Sequence, residues 1–280
     1  MITPFRGDEI DHKVLIGFIE YARENHFDGL FPGGSTGGFA SLSQREHTGL
    51  LEEVIEESTG LKLFAGICRN NVEETIEMGK KAIDLGYQNL VCINPFYHKY
   101  SEASVEKFFG AVISALDADM YIYNNPSLSG FRLSPELVER LKDKHPQVVG
   151  MKDSGNDMEA FGRFLKIKNL KVYQGKDAFI HESIEQGAYG GVCSTANFAL
   201  NTLLLANNKT NIEETKAKTK RLVELVSHYE VPAIHNYLFR RFILNEMEPK
   251  NYVNRPFVDL NDIPELMSLR ENSILPVDTR

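Results

Sequence analysis

The sequence predicts an α/β fold, a (β/α)8 TIM barrel with a small C-terminal helical appendage, and three observations predict it. Short apolar, β-rich runs alternate with longer amphipathic segments as far as about residue 200. The alternation counts out at eight strand-then-helix units spaced at roughly 20 to 35 residues, the count that closes a parallel barrel. Unusual polar residues fall at the C-terminal ends of several different runs, the rim on which barrel enzymes keep their chemistry. A doubly wound sheet shares this grammar and is the alternative fold.

Taken in order, Ile2 to Phe5 is a first short strand, and Ile10, Val14, Leu15, Phe18, Ile19 and Ala22 recur behind it at helical spacing. Gly29 to Pro32 is a second strand, followed by the Gly-rich turn Gly33 to Gly38. Ser43, with Glu46 behind it, is a capping-box start for a helix through Leu50, Leu51, Val54 and Ile55. Leu61 to Ile67 is the third strand, and Val72, Ile76, Gly79 and Ile83 mark the inner face of its helix. Asn89 to Ile93 is the fourth, closed by Asn94 and Pro95, and Ser101 to Ala115 is helical. Asp119 to Tyr123 is the fifth, closed by Asn124, Asn125 and Pro126, after which Ser134 caps a helix that has Pro135 at its first position. Val148 to Lys152 is the sixth, Leu170 to Gln174 the seventh and Gly191 to Ser194 the eighth.

After Phe198 the pattern turns wholly helical, over Ile212 to Tyr229, Ala233 to Met247 and a shorter stretch near Ile263 to Leu269. The barrel is therefore assigned to residues 1–200 and the appended helices to 201–280, the two forming one structural unit. Arg240 and Arg241 in the appendage read as a solvated or salt-bridged face.

A chain of 280 residues can hold one barrel or two ordinary domains. A composition of 42% hydrophobic and 25% charged residues, with no Ser/Gly-rich or Pro-rich linker, favours a single globular domain. A net charge of −8 leaves no broad cationic face, which argues against nucleic acid and membrane surfaces as partners. The longest uncharged stretch, Gln186 to Asn208, is broken by Ser194, Thr195, Asn197, Asn201 and Thr202 and does not read as a bilayer span. The opening residues, followed at once by Arg6, Asp8 and Glu9, do not read as a secretory signal, so the cytoplasm is the expected compartment. Cys68, Cys92 and Cys193 are odd in number and far apart, and read as buried free thiols. His12 follows three acidic residues, which more simply serve a helix start, and no histidine or cysteine spacing suggests a metal.

The sixth strand ends on Lys152, where a lysine sheds part of its hydration and becomes a nucleophile toward carbonyls. The fifth ends on Tyr123, which a barrel sets beside Lys152 over one cavity, so that a phenol can shuttle protons for an amine adduct. An interfacial tyrosine with a buried ring and a wet hydroxyl is the plainer reading of Tyr123 alone. The turn Gly34-Ser35-Thr36-Gly37 offers clustered backbone N–H groups and two hydroxyls, which suits a carboxylate, and it is not a Walker loop because no Gly-Lys-Ser/Thr follows. Together these groups predict Schiff-base catalysis on a 2-keto acid, a chemistry that needs no cofactor.

These residues resemble the dihydrodipicolinate synthase / N-acetylneuraminate lyase family of class I aldolases over essentially the whole chain. The family's G-[ST]-T-G stands as Gly34-Ser35-Thr36-Gly37, its Tyr-Asn-x-Pro-x-x-x-Gly as Tyr123 to Gly130, and its G-x-K-[DE] as Gly150-Met151-Lys152-Asp153. The resemblance implies that Lys152 forms the Schiff base, Tyr123 relays protons, and Ser35 and Thr36 hold the substrate carboxylate. Pro95-Phe96-Tyr97 is similar to the segment that lends a tyrosine to a neighbouring subunit's site, which implies that Tyr97 acts across a dimer, and the family usually pairs dimers into a homotetramer. Gly175-Lys176-Asp177 resembles the loop whose Asp binds sugar hydroxyls, and Gly190 to Thr195 the segment whose serine, here Ser194, does likewise. A helix N-cap is the alternative role for Asp177.

Departures from the pattern narrow the substrate. Where the synthases carry an arginine for the second substrate's carboxylate, this chain has Leu128, which cannot replace a bidentate cation. Where sialic acid lyases carry Glu after the turn and after the Asp, this chain has Gly38 and Ala178. What remains resembles the 2-keto-3-deoxygluconate aldolases, which form pyruvate and glyceraldehyde. A 2-keto-3-deoxy sugar acid dehydratase, an N-acetylneuraminate lyase and a barrel that only binds keto acids are the alternatives. Lys99 and Arg132 are cations near the expected mouth but make no phosphate motif, so the unphosphorylated acid is favoured.

Overall fold

Seven of the eight expected strands form one parallel sheet in the structure, a computed structural model that describes residues 1–199, 212–246 and 252–260. The first expected strand is not among them. Phe5–Arg6 (β1) instead pairs antiparallel with Glu9–Ile10 (β2), a short hairpin turned at Gly7, whose φ of +65° suits glycine. Ile10 thereby leaves the predicted helix, which starts later because the Asp11 carboxylate accepts the Val14 N–H and caps His12–Glu24 (α1). Met1 and Ile2 still bridge the two edges of the sheet: the Met1 amine donates to the Phe31 carbonyl at 2.9 Å, and the Ile2 N–H to Asn197 Oδ1 at 2.9 Å.

The sheet runs in chain order through Gly29–Leu30 (β3), Lys62–Gly66 (β4), Asn89–Ile93 (β5), Asp119–Asn124 (β6), Val148–Asp153 (β7), Lys171–Gln174 (β8) and Gly190–Gly191 (β9), each strand parallel to the next. Helices alternate with them as predicted. Ser43 and Glu46 form the expected capping box on Gln44–Glu57 (α2), and Asn71 caps Val72–Asp84 (α3). Ser101 caps Glu102–Ser114 (α4), and Ser134 caps Pro135–Lys144 (α6), with a single turn, Pro126–Ser129 (α5), before it. Asp157 caps Met158–Phe164 (α7), and Ile180–Glu185 (α8) follows β8.

Strand alternation separates two apolar layers. Leu90 and Cys92 of β5 and Met120 and Ile122 of β6 face outward into the helix layer with Val105, Phe109, Leu137 and Phe161. Val91, Ile93, Tyr121 and Tyr123 face the other way and pack with Phe31, Phe39 and Cys68 on the concave side. This curled parallel sheet with helices on its outer face is a TIM-barrel-like α/β arrangement.

Beyond β9 lie the helices Ile212–Val226 and Val231–Leu238 and a π-helical turn, Phe239–Ile243. Met247 and the helix expected near Ile263 to Leu269 lie outside the described residues. Arg240 corrects the solvated half of its reading. Its side chain is buried, pairs with Asp11 and Glu246 at 2.9 Å each and donates to the Phe5 carbonyl at 2.8 Å.

Candidate active site

Lys152 owes its direction to an irregularity in β7. From Val148, which faces the helices, strict alternation would turn residue 152 to the helices as well. Between Met120↔Val148 and Tyr121↔Gly150 the register shifts by one, leaving Val149 as an extra residue. This bulge returns Met151 to the outer core and turns Lys152 inward. Gly150 makes it fit, since a Cβ there would stand 2.5 Å from the Tyr121 ring and 2.8 Å from the Lys171 carbonyl.

The register that follows sets Tyr123 directly beside Lys152. The lysine Nζ lies 4.5 Å from the centroid of the Tyr123 ring and 5.3 Å from that of Phe31, an aromatic wall that leaves the ammonium partly buried. Gly175 at the end of β8 backs the lysine: a Cβ there would stand 2.8 Å from Lys152 Cε. Lys152 also lines a cavity of about 670 Å3 with Phe64, Tyr121, Tyr173 and Val192, which extends down to Asp28, Lys62 and Tyr189. Tyr123, Ser35 and Thr36 are not part of that lining, so Lys152 is where the cavity meets the rim.

The Tyr123 hydroxyl is buried yet well supplied with partners. It accepts from Asn125 Nδ2 at 2.8 Å and lies 3.4 Å from Ser35 Oγ. Burial raises its pKa, but the charge of Lys152 and hydrogen bonds from Ser35, Asn125 and Ser154 outweigh burial and hold the phenol below its usual value. A tyrosine that ionises more readily than usual, next to an amine, is suited to moving protons.

Ser35 and Thr36 sit in a 3-10 turn, Ser35–Gly37, entered through extended Gly34 and left through Gly38 at φ +67°. Gly33 takes φ +71°, and a Cβ there would stand 2.2 Å from His47 Nε2, so the turn rests on the buried imidazole of α2. Burial, with the charge of Arg69 behind it, pushes His47 down to about 3, which keeps it neutral near pH 7.

The loops after β8 and β9 are joined through Asp177. Its buried carboxylate accepts from the N–H and hydroxyl of Ser194, at 3.3 and 3.1 Å, from the Thr195 N–H at 2.8 Å and from the Thr195 hydroxyl. Asp177 is the first residue of its own 3-10 turn, behind Lys176 at the N-cap, and its carboxylate instead accepts the N–H groups of Ser194 and Thr195, where the turn Thr195–Asn197 begins. Tyr97 stands apart from all of these. It is 87% exposed at φ +80°, a conformation that costs a non-glycine residue about 1 to 3 kcal/mol. Leu128 is 62% exposed, and Arg132 is occupied by the Gly155 carbonyl at 2.9 Å and by Asp157.

The model of the dihydrodipicolinate synthetase family matches residues 1–262. The chain belongs to that family. It is accordingly an enzyme, a lyase of the aldolase type. It is 30% identical over 254 residues to the 2-dehydro-3-deoxy-D-gluconate/2-dehydro-3-deoxy-phosphogluconate aldolase of Picrophilus torridus, covering 88% of this chain and 95% of that one. Over 200 residues it is 28% identical to the 4-hydroxy-tetrahydrodipicolinate synthase of Methanococcus maripaludis, covering 71% and 69%. The solved 2-keto 3-deoxygluconate aldolase from Picrophilus torridus superposes with a TM-score of 0.85 at 29% identity, over 94% of this chain and 97% of that one. Dihydrodipicolinate synthase from Aquifex aeolicus superposes with a TM-score of 0.88 at 20% identity, over 98% and 96%, a likeness of fold alone.

The structure brings Lys152 together with Tyr123 and Ser35, with Gly34 and Thr36 in the adjoining turn, and it sets Gly175, expected with the Asp177 loop, against the Lys152 stem. Asp177 and Ser194 form a second cluster bonded within itself, and Tyr97 belongs to neither. Sequence reasoning missed Phe31 and Asn125. Phe31 stands one residue before the last of the expected second strand, Pro32, where inward positions were countable, whereas Asn125 read only as the end of a strand. No helix among the described residues is long and apolar enough to cross a membrane.

Proposed function

We propose that this chain is a Schiff-base aldolase that cleaves or forms a 2-keto-3-deoxy sugar acid, with 2-keto-3-deoxygluconate giving pyruvate and glyceraldehyde. The observation that carries the reading is the Lys152 amine set 4.5 Å from the ring of a phenol held ready to ionise. The amine adds to the C2 ketone and water leaves, forming an iminium. Tyr123, as phenolate, takes the proton of the C4 hydroxyl. The C3–C4 bond breaks, its electrons pass into the iminium to give an enamine, and the aldehyde departs. Protonation at C3 and hydrolysis then release pyruvate and free the amine. Gly34, Ser35 and Thr36 hold the carboxylate through the N–H groups and hydroxyls of their turn, beside Tyr123.

The assignment of a sugar acid rather than the synthase reaction is supported by Leu128 and by the similarity to the Picrophilus torridus aldolase. Gly175 leaves the space in which the lysine stem lies, and the Asp177–Ser194 pair shapes the far end of the site for the polyol tail. Tyr97, exposed and strained, completes the site of a second copy within a homotetramer built as a dimer of dimers. Closure of the sheet into a full barrel across the edges bridged by Met1 and Ile2 belongs to the same reading.

Incubation with pyruvate and borohydride, followed by mass analysis, tests it. A pyruvyl adduct on Lys152 is expected, and its absence ends the proposal. A panel of 2-keto-3-deoxy acids, with and without phosphate, then scores pyruvate release, whereas a dehydratase would yield an oxo-semialdehyde and no pyruvate.

A further inference from the structure

One step beyond Tyr123 and Lys152, the same register sets Asn124 opposite Asp153. Both side chains are buried, and Asn124 Nδ2 donates to Asp153 Oδ1 at 2.5 Å. Around this bond three strand ends converge. Asn124 Oδ1 accepts the Leu133 N–H at 3.1 Å, and its carbonyl accepts the Ser154 N–H at 2.8 Å. Asp153 Oδ1 also accepts the Gly155 N–H at 3.2 Å, and its carbonyl accepts the Gly175 N–H at 2.7 Å. A Cβ at Gly155 would stand 2.9 Å from both Asn124 Nδ2 and Asp153 Oδ1, so the chain closes tightly over the pair.

We propose that Asn124 and Asp153 are positioning residues, a latch across the ends of β6 and β7 that keeps the Tyr123 hydroxyl within proton-transfer reach of an adduct on Lys152. Alternation aims both away from the concave face, so neither touches substrate. The inference rests on the Schiff-base reading above. Each latch residue is covalently next to its partner in the reacting pair, and a displacement of about 1 Å between reacting groups can cost about a hundredfold in rate.

The latch carries its own pH dependence. Burial pushes Asp153 up to about 6, against hydrogen bonds from Asn124 and Gly155 and the charge of Arg132. The facing charges are Arg132 and Asp157, while β6 and β8 present the uncharged amides Asn124 and Gln174. Protonation removes the charge from the acceptor of the Asn124 bond and loosens the latch as pH falls below about 6.

The experiment measures kcat and KM for pyruvate release against pH in the wild type, Asn124→Ala, Asp153→Ala, the double variant and Asp153→Asn, with borohydride trapping of pyruvate in each. The single alanine variants are expected to trap pyruvate on Lys152, to lose about 10- to 100-fold in kcat and to keep KM within about threefold, with the double variant no worse than either. Asp153→Asn keeps an acceptor oxygen and the shape, and is expected to lose the acid limb near pH 6. A wild type that does not trap pyruvate sinks the Schiff-base reading itself. Trapping in the wild type, combined with an acid limb retained in Asp153→Asn or with losses that add in the double variant, overturns the latch alone. If the alanine variants do not fold, the Asp153→Asn profile decides.

Discussion

Ser35 Oγ lies 3.4 Å from the hydroxyl of Tyr123, although 88 residues separate them. The contact joins the turn proposed to hold the substrate carboxylate to the group proposed to relay its protons, so that loading the turn and poising the phenol are one event. Ser35→Ala removes a hydrogen bond that favours the phenolate, and the Tyr123 pKa is expected to rise toward its usual value while Lys152, Asn125 and Ser154 still oppose burial. Titration of the phenolate absorption band, with Tyr123→Phe as the blank, checks the direction. KM for pyruvate exchange should rise in the same variant, and Tyr123→Phe should lose about 10²- to 10⁴-fold in kcat.

Gly150→Ala tests the bulge that aims Lys152. With the Tyr121 ring and the Lys171 carbonyl closer than any Cβ tolerates, overpacking is expected to cost about 1 to 3 kcal/mol, read as a shift in the urea midpoint. The residual folded protein should label with pyruvate more slowly, because relief of the clash displaces the strand that carries the amine. Wild-type stability together with wild-type labelling would show that the bulge does not set the lysine's direction.

The bulge also marks where sequence legibility ends. Strand and helix positions are readable wherever a stretch repeats its period, as α1 does through Val14, Phe18 and Ala22 or α2 through its Ser43–Glu46 box. Lys152, Tyr123 and the Ser35 turn were readable because their residue types are unusual at strand ends. Val148 to Lys152 is too short a run to show that its alternation breaks at Val149, and strict counting turns the lysine the wrong way. The β1–β2 hairpin was misread because Ile10 fits the apolar period of α1, while the signals that end it, Gly7 and the Asp11 cap, are single residues. Arg240 looked like surface because two of its three partners, Asp11 and the Phe5 carbonyl, lie more than 200 positions away.

The Asp177 carboxylate is expected to act as a strut. Among the described residues its bonds go to Ser194 and Thr195, and Asp177→Ala leaves those donors unpaired at a cost of about 1 to 3 kcal/mol. Trapping of pyruvate on Lys152 should persist in this variant, while KM for the full sugar acid rises because the loop after β9 is released. A variant of unchanged stability would place the carboxylate's role with the ligand instead of the fold.

Arg240, buried against Asp11, makes acid stability testable without touching the site. Burial raises the Asp11 pKa, but the hydrogen bond and charge of Arg240, the Val14 N–H and Arg6 together bring it below the usual 3.8. A carboxylate whose folded pKa is lower than its unfolded one stabilises the protein at every pH above the unfolded value, and that contribution is lost as pH falls through the folded value. The urea-midpoint advantage of the wild type over Asp11→Asn should therefore hold level from neutral pH down to about pH 4 and then shrink. Arg240→Met removes one partner of the buried pair, takes a donor from the Phe5 carbonyl and leaves the Asp11 carboxylate only the exposed Arg6 as a cation at 2.8 Å, and is expected to cost up to about 3 to 5 kcal/mol at neutral pH. Asp11→Asn combined with Arg240→Met should recover part of that loss, because no buried charge is then left alone. Equal stability of Arg240→Met and the double variant would show that packing of the long side chain, not its charge, is what joins the π-helical turn to the β1–β2 hairpin.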